Sequence, residues 1–240
     1  MAIKSMGLDE LAPFNPQEKI IEYMLVNKTG CKLANSSLND FANETGSESP
    51  APGGGSVATY IGALCASLAT MAANLSAHKK VWEPGWKEFG DWVEKGQQYK
   101  NELLKLVVAD IEAFNQVIYA LALPKSSEEE KSLRTKAIED ATKYAIEIPF
   151  KVMQTAHTNL HVIKAMGQTG NPNSISYAGV GALYACSAVM GAFMNVRINP
   201  AGHHDKIFVE DIMAKGAAIQ KETNELETEI LKLVDEKIGL

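Results

Sequence analysis

Two runs, Val57–Ala73 and Ala178–Val196, carry no charged residue and are rich in Ala, Gly and Ser, with few large aliphatics. Small side chains let helix axes approach closely, and a run without charge needs cover from solvent. The first run is short for a bilayer. Both therefore read as buried, closely packed helices of a soluble protein rather than as membrane spans. Apolar residues make up 46% of the 240-residue chain, enough to surround two such helices with a real core in one large domain or two small ones.

The remaining segments supply helices and no strands. There is no sustained alternation of apolar and polar residues and no hairpin pair. Residues 1–35 read as a lead-in broken by Pro13 and Pro16, with a short amphipathic helix over Gln17–Val26. Ser36 or Ser37 caps a helix that ends near Gly46. A long helix is expected from near Trp86 to Ala122, stopped by Pro124. A second is expected from Ser126 or Ser127 to about Met166, with three glutamates at its positive end. Pro149 should kink or divide it. Helix resumes from near Ser174 to Ile198, and a last amphipathic helix covers about Asp205 to Lys237. Long helices with short links predict an all-α antiparallel bundle over residues 36–240, with both charge-free runs buried.

The first of those runs is preceded by Ser49-Pro50-Ala51-Pro52-Gly53-Gly54-Gly55-Ser56. The prolines hold the entry extended, the glycines allow positive φ and close backbone approach, and Ser56 suits an N-cap or first-turn position. A helix N-terminus opening from such a loop favours an anionic or carbonyl ligand; a tight turn for close helix packing is the plainer reading. No Gly-Lys-Ser/Thr ending and no preceding β-rich run are present, so neither common nucleotide signature fits.

The formal charge of −6 and the lack of a basic stripe with interleaved aromatics argue against a nucleic-acid surface. Cys31, Cys65 and Cys186 are an odd number at wide spacing, which fits reduced thiols in a cytoplasm. Met1 to Gly7 does not read as a signal peptide. On the long middle helix, Leu103, Val107, Phe114, Val117 and Leu121 form an apolar seam that also contains Asp110. A carboxyl group on a buried stripe must find partners or shift its pKa upward, and either outcome suits a functional acid or base. A structural aspartate bonded to a neighbouring helix is the alternative. His157 and His161 share a helix face, but Thr158 follows the first, so the His-Glu-x-x-His zinc motif is absent and no metal site is expected. His78-Lys79-Lys80 form a basic cluster suited to a carboxylate ligand or to a helix C-terminus. Asn171, Asn173, Asn195, Arg197 and Asn199 place amides and a guanidinium beside apolar helix ends, as caps or as ligand contacts.

Taken in order, Ser49–Ser56, Asp110–Phe114 with Leu123-Pro124-Lys125, Gly170–Ser174 with Ala178–Leu183, and Asn195–Asn199 resemble the formiminotetrahydrofolate cyclodeaminase family, the C-terminal domain of formiminotransferase-cyclodeaminase. Residues 1–35 resemble the segment that joins transferase to cyclodeaminase. The resemblance implies an all-α homodimer, with a formiminotransferase as a possible partner and no membrane or nucleic-acid role. It implies a tetrahydrofolate substrate, possibly polyglutamylated, and closure of 5-formiminotetrahydrofolate to 5,10-methenyltetrahydrofolate with loss of ammonia. Methenyltetrahydrofolate cyclohydrolase is the related alternative. No cofactor beyond the folate is implied, because proton transfer and orientation suffice. Asp110 and Tyr177 take the catalytic positions. Gly53, Gly54, Gly55, Ser56 and Phe114 are expected at the substrate, with Asn171, Asn173, Asn195 and Arg197; His78, Lys79 and Lys80 receive the glutamate tail. The family pattern has Asp where this chain has Tyr177. Tyr transfers protons weakly at neutral pH, its reference pKa being about 10. It can stack on a pterin ring instead, and the chain would then be a folate-binding or assembly module.

Overall fold

The computed structural model describes residues 36–77, 86–200 and 203–239; the expected helix over Gln17–Val26 lies outside them. The described chain is helical, with no strand: α1 (Leu38–Thr45), α2 (Gly54–Ala77), α3 (Trp86–Ala122), α4 (Glu128–Thr169), a 3₁₀ turn (Pro172–Ser174), α5 (Ile175–Ile198) and α6 (Lys206–Ile238). The starts follow local chemistry. The Asp40 N–H donates to Ser37 Oγ at the head of α1. Ser127 and Glu130 form a reciprocal capping box at the head of α4. Asp205 accepts from the Phe208 N–H at the head of α6, and Gly239, at φ 86°, closes that helix in the left-handed region.

α2 packs on α3 and α5, and α5 also packs on α4 and α6. The core between them is aliphatic: Leu103, Ile146, Val152, Met153, Leu160, Ile163 and Val189 are sealed from solvent. α2 starts and α5 ends at the same end of the bundle, so these two helices run antiparallel.

Three expectations need correcting. The charge-free runs are not wholly buried. Each turns its small residues inward, such as Ala58, Gly62 and Ala66 on α2 and Ala178, Ala182 and Ala185 on α5. Leu64, Met71, Val180, Leu183, Tyr184, Met190 and Met194 face outward. Close approach of helix axes favours the small residues at the contact, which leaves the large ones outside.

The α3 seam is also narrower than its spacing predicts. Leu103, Leu106, Val107, Ala113 and Ala120 are buried, whereas Phe114 and Leu121 are 38% and 48% exposed. Past Ala113 only Val117 and Ala120 stay turned to the core. Ala120 is buried there, and with Ala137 and Ala141 of α4 it lines a groove between the two helices. Pro149, finally, is buried inside an α4 that runs unbroken from Glu128 to Thr169, so of the expected kink or division, division is excluded.

Candidate active site

The site lies where α2 begins and α5 ends. A cleft of about 360 Å³ is lined by Pro50, Ala51 and Gly53–Ser56, by Asp110, Ile111, Ala113, Phe114 and Val117 of α3, by Ala145 of α4, and by Asn195 and Asn199. This volume is within the range of small-molecule sites. The Ala51–Pro52 peptide bond is cis.

The loop glycines act differently from the sequence expectation. Among the described residues only Gly239 has positive φ, and Gly54 and Gly55 already belong to α2. What Gly55 supplies is space. A Cβ there would lie 2.5 Å from Asp110 Oδ1 and 2.8 Å from Oδ2. The Val57 N–H is the first to enter the helical ladder, donating to the Gly53 carbonyl at 3.0 Å. The N–H groups of Gly54, Gly55 and Ser56 therefore precede the ladder at the positive end of the α2 dipole.

Ser56 is buried within the first turn, and its hydroxyl donates to Asp110 Oδ2 at 2.7 Å. Its side chain thus holds the carboxylate rather than capping α2. Burial pushes the Asp110 carboxyl above the ordinary aspartate range, and the Ser56 hydrogen bond opposes that shift by favouring the charged form. A carboxyl group under both influences, at the wall of a ligand-sized cleft, is suited to exchanging a proton.

Asp110, Phe114, Asn195 and Gly53–Ser56 are thus brought together. Tyr177, Asn171 and Asn173 are not. They sit at the opposite end of the bundle, Tyr177 about 27 Å along α5 from Asn195. Tyr177 packs against a cluster of Ala72, Ala73, Phe89 and Met166. Asn171 serves the local turn: its N–H donates to Ser76 Oγ at 2.8 Å and its side chain accepts from the Asn173 N–H at 3.1 Å. Arg197 is exposed and lies over the Phe193 ring, 5.1 Å from its centroid, outside the cleft lining. The periodicity that placed these residues at helix ends did not say which ends meet. His78, Lys79 and Lys80 lie outside the described residues.

Sequence reasoning missed the contribution of α4 and the apolar wall of Ile111 and Val117; an alanine such as Ala145 carries no signal of a site. The described thiols are not candidates. Cys65 is sealed against Asn159 and pushed up to about 12, and burial raises Cys186 to about 11. His157 accepts a structural role instead, with Nδ1 2.9 Å from Thr223 Oγ1 across α4 and α6.

A family model described as formiminotransferase-cyclodeaminase matches residues 37–218. Formimidoyltransferase-cyclodeaminase of Rattus norvegicus is 34% identical over 212 residues, 88% of this chain and 39% of its own length. Methenyltetrahydrofolate cyclohydrolase of Methylorubrum extorquens is 30% identical over 205 residues, covering 85% of this chain and 99% of its own. The chain thus spans about two fifths of the bifunctional relative and nearly all of the cyclohydrolase. The crystal structure of formiminotetrahydrofolate cyclodeaminase from Thermotoga maritima superposes with a TM-score of 0.76 at 26% identity, covering 85% of this chain and 98% of that one.

Proposed function

The chain belongs to the formiminotransferase-cyclodeaminase family, and on that premise we propose that it closes 5-formiminotetrahydrofolate to 5,10-methenyltetrahydrofolate with release of ammonia. N10 attacks the formimino carbon, giving a tetrahedral carbon that bridges N5 and N10 and bears an amino group. The C–N bond to that group breaks once its nitrogen is protonated. Asp110 takes the proton from N10 and delivers it to the departing amine. The observation that carries this reading is the largely buried Asp110 carboxyl held by Ser56 at the wall of the cleft. The amides that open α2 take a polar folate atom, and Phe114 lies along the ring. A formiminotransferase is the class of enzyme that would supply the substrate.

A second reading, hydrolysis of 5,10-methenyltetrahydrofolate to 10-formyltetrahydrofolate, is favoured by the near-complete overlap with the cyclohydrolase. It uses the same tetrahedral carbon, with water in place of ammonia. Purified protein mixed separately with each folate decides between them. A rise in methenyl absorbance from the formimino compound supports the first reading, and an accelerated loss from the methenyl compound supports the second. Folate binding without turnover would leave a binding module. Absence of binding would remove all three.

The outward faces of α2 and α5 extend the proposal to a homodimer. Leu64, Met71, Val180, Leu183 and Met190 form adjoining apolar stripes on two uncharged helix surfaces. A second copy of this chain, bringing the same stripes, is the occupant that matches them.

A further inference from the structure

The amides of Asn195, in the last turn of α5, and of Asn199, its C-cap, lie one turn apart, and both residues line the cleft. Asn195 Nδ2 donates to the Gly191 carbonyl at 2.9 Å, and Asn199 Nδ2 donates to the Ala145 carbonyl of α4 at 2.7 Å. A backbone carbonyl only accepts, so in both side chains the nitrogen faces the backbone and the oxygen is left over. Among the described residues no group donates to either Oδ1, and neither oxygen is sealed from solvent.

The Ala145 carbonyl is free for a specific reason. In an α-helix it accepts from the N–H four residues on, and that residue is Pro149, which has none. An interior proline is unfavourable, and here the orphaned acceptor is satisfied by a side chain from another helix.

We propose that Pro149 is a positioning residue for ligand recognition: the carbonyl it frees clamps the Asn199 amide, so that Asn199 and Asn195 present two acceptor oxygens to a ligand edge rich in N–H donors. The inference rests on the tetrahydrofolate reading above. In that ligand the donor edge is the 2-amino group and N3–H of the pyrimidine ring. N5 and N10 lie on the other side of the bicycle. Asp110 and both amides line the same cleft, so a ring whose donor edge meets Asn195 and Asn199 lies within it beside the carboxyl group.

The test is to titrate tetrahydrofolate and its 2-desamino analogue into wild type, Asn195→Leu, Asn199→Leu and Pro149→Ala. Wild type is expected to prefer tetrahydrofolate roughly tenfold or more, as one lost hydrogen bond in a formed site implies. Each Leu variant should erode that preference by weakening tetrahydrofolate alone. Pro149→Ala restores an N–H to Ala145 and competes for its carbonyl, so it should erode the preference by weakening tetrahydrofolate alone. Because that change leaves both asparagines in place, it decides the matter even if the Leu variants fail to fold. Equal weakening of both ligands, or an undiminished preference in Pro149→Ala, overturns the proposal. Wild type that binds both ligands equally overturns it and leaves the folate reading standing, whereas wild type that binds neither removes both.

Discussion

Asp110 is held between two opposing influences, and each can be tested alone. Burial disfavours its ionised form, while Ser56 favours it. Asp110→Asn keeps the shape and removes the transferable proton, so turnover should fall about 10²- to 10⁴-fold with the helical spectrum unchanged. The raised carboxyl pKa also has a signature in stability. The folded state holds the proton more tightly than the unfolded one, so wild type loses stability as pH rises from the ordinary aspartate range through the folded pKa. The melting temperature of the Asn variant relative to wild type should therefore climb across that window and level off above it. Ser56→Ala removes the group that lowers the pKa. The carboxyl limb of the pH profile of kcat/KM should then move to higher pH; a shift to lower pH, or none, would separate Ser56 from the proton-transfer group. Gly55 belongs to the same unit, since any side chain there collides with the carboxylate.

Among the helices, the contacts that place the site depend on missing side chains. Gly96 of α3 packs against Thr70 of α2 so closely that a Cβ would overlap the Thr70 hydroxyl. α2 carries Gly55 and Ser56, and α3 carries Asp110, so the spacing of this pair sets the reach of Ser56 to Asp110. Gly96→Ala should destabilise the protein by about 1–3 kcal/mol through overpacking. Chemical denaturation measures that loss, and turnover per folded molecule should fall with it, because the α2–α3 spacing is transmitted to the carboxylate. A stability loss with full turnover would uncouple the two. α4 shows the converse device: Pro149 removes a donor from a continuous helix, and α5 supplies the replacement through Asn199.

For the molecule as a whole, the outer faces of α2 and α5 are the least accounted for by a single chain. Met194 and Ile198 are 57% and 72% exposed on a helix with no charge before Arg197. A standard interface hides about 800 Å² per partner, and the adjoining stripes provide apolar surface for it. Light scattering at micromolar concentration should give twice the 26.0 kDa mass of the chain. Leu183→Glu combined with Met190→Glu should shift that mass to the monomer, since two carboxylates buried at a symmetric contact meet their own copies. A wild-type monomer would show that these faces have another use.

Helix boundaries were legible because they depend on a few neighbouring residues. Ser37, Ser127 with Glu130, and Asp205 start helices where their side chains reach the first free N–H groups, and the structure places these starts within a residue or two of expectation. The absence of strands among the described residues follows equally from short-range periodicity. Asp110 was legible as a carboxyl group on an otherwise apolar stripe. Which residues face one another was not. The α3 seam failed at Phe114 and Leu121 because burial there depends on where the neighbouring helices lie, and a period of 3.6 residues carries no such information. Tyr177 and Asn195 share one helix and every local feature of it, yet they lie at opposite ends of the bundle. Only the antiparallel packing of α2 on α5 selects Asn195 for the cleft. Pro149 reads locally as a helix breaker. Its freed carbonyl becomes a clamp for Asn199 only because α5 ends beside it, a contact between residues 54 positions apart.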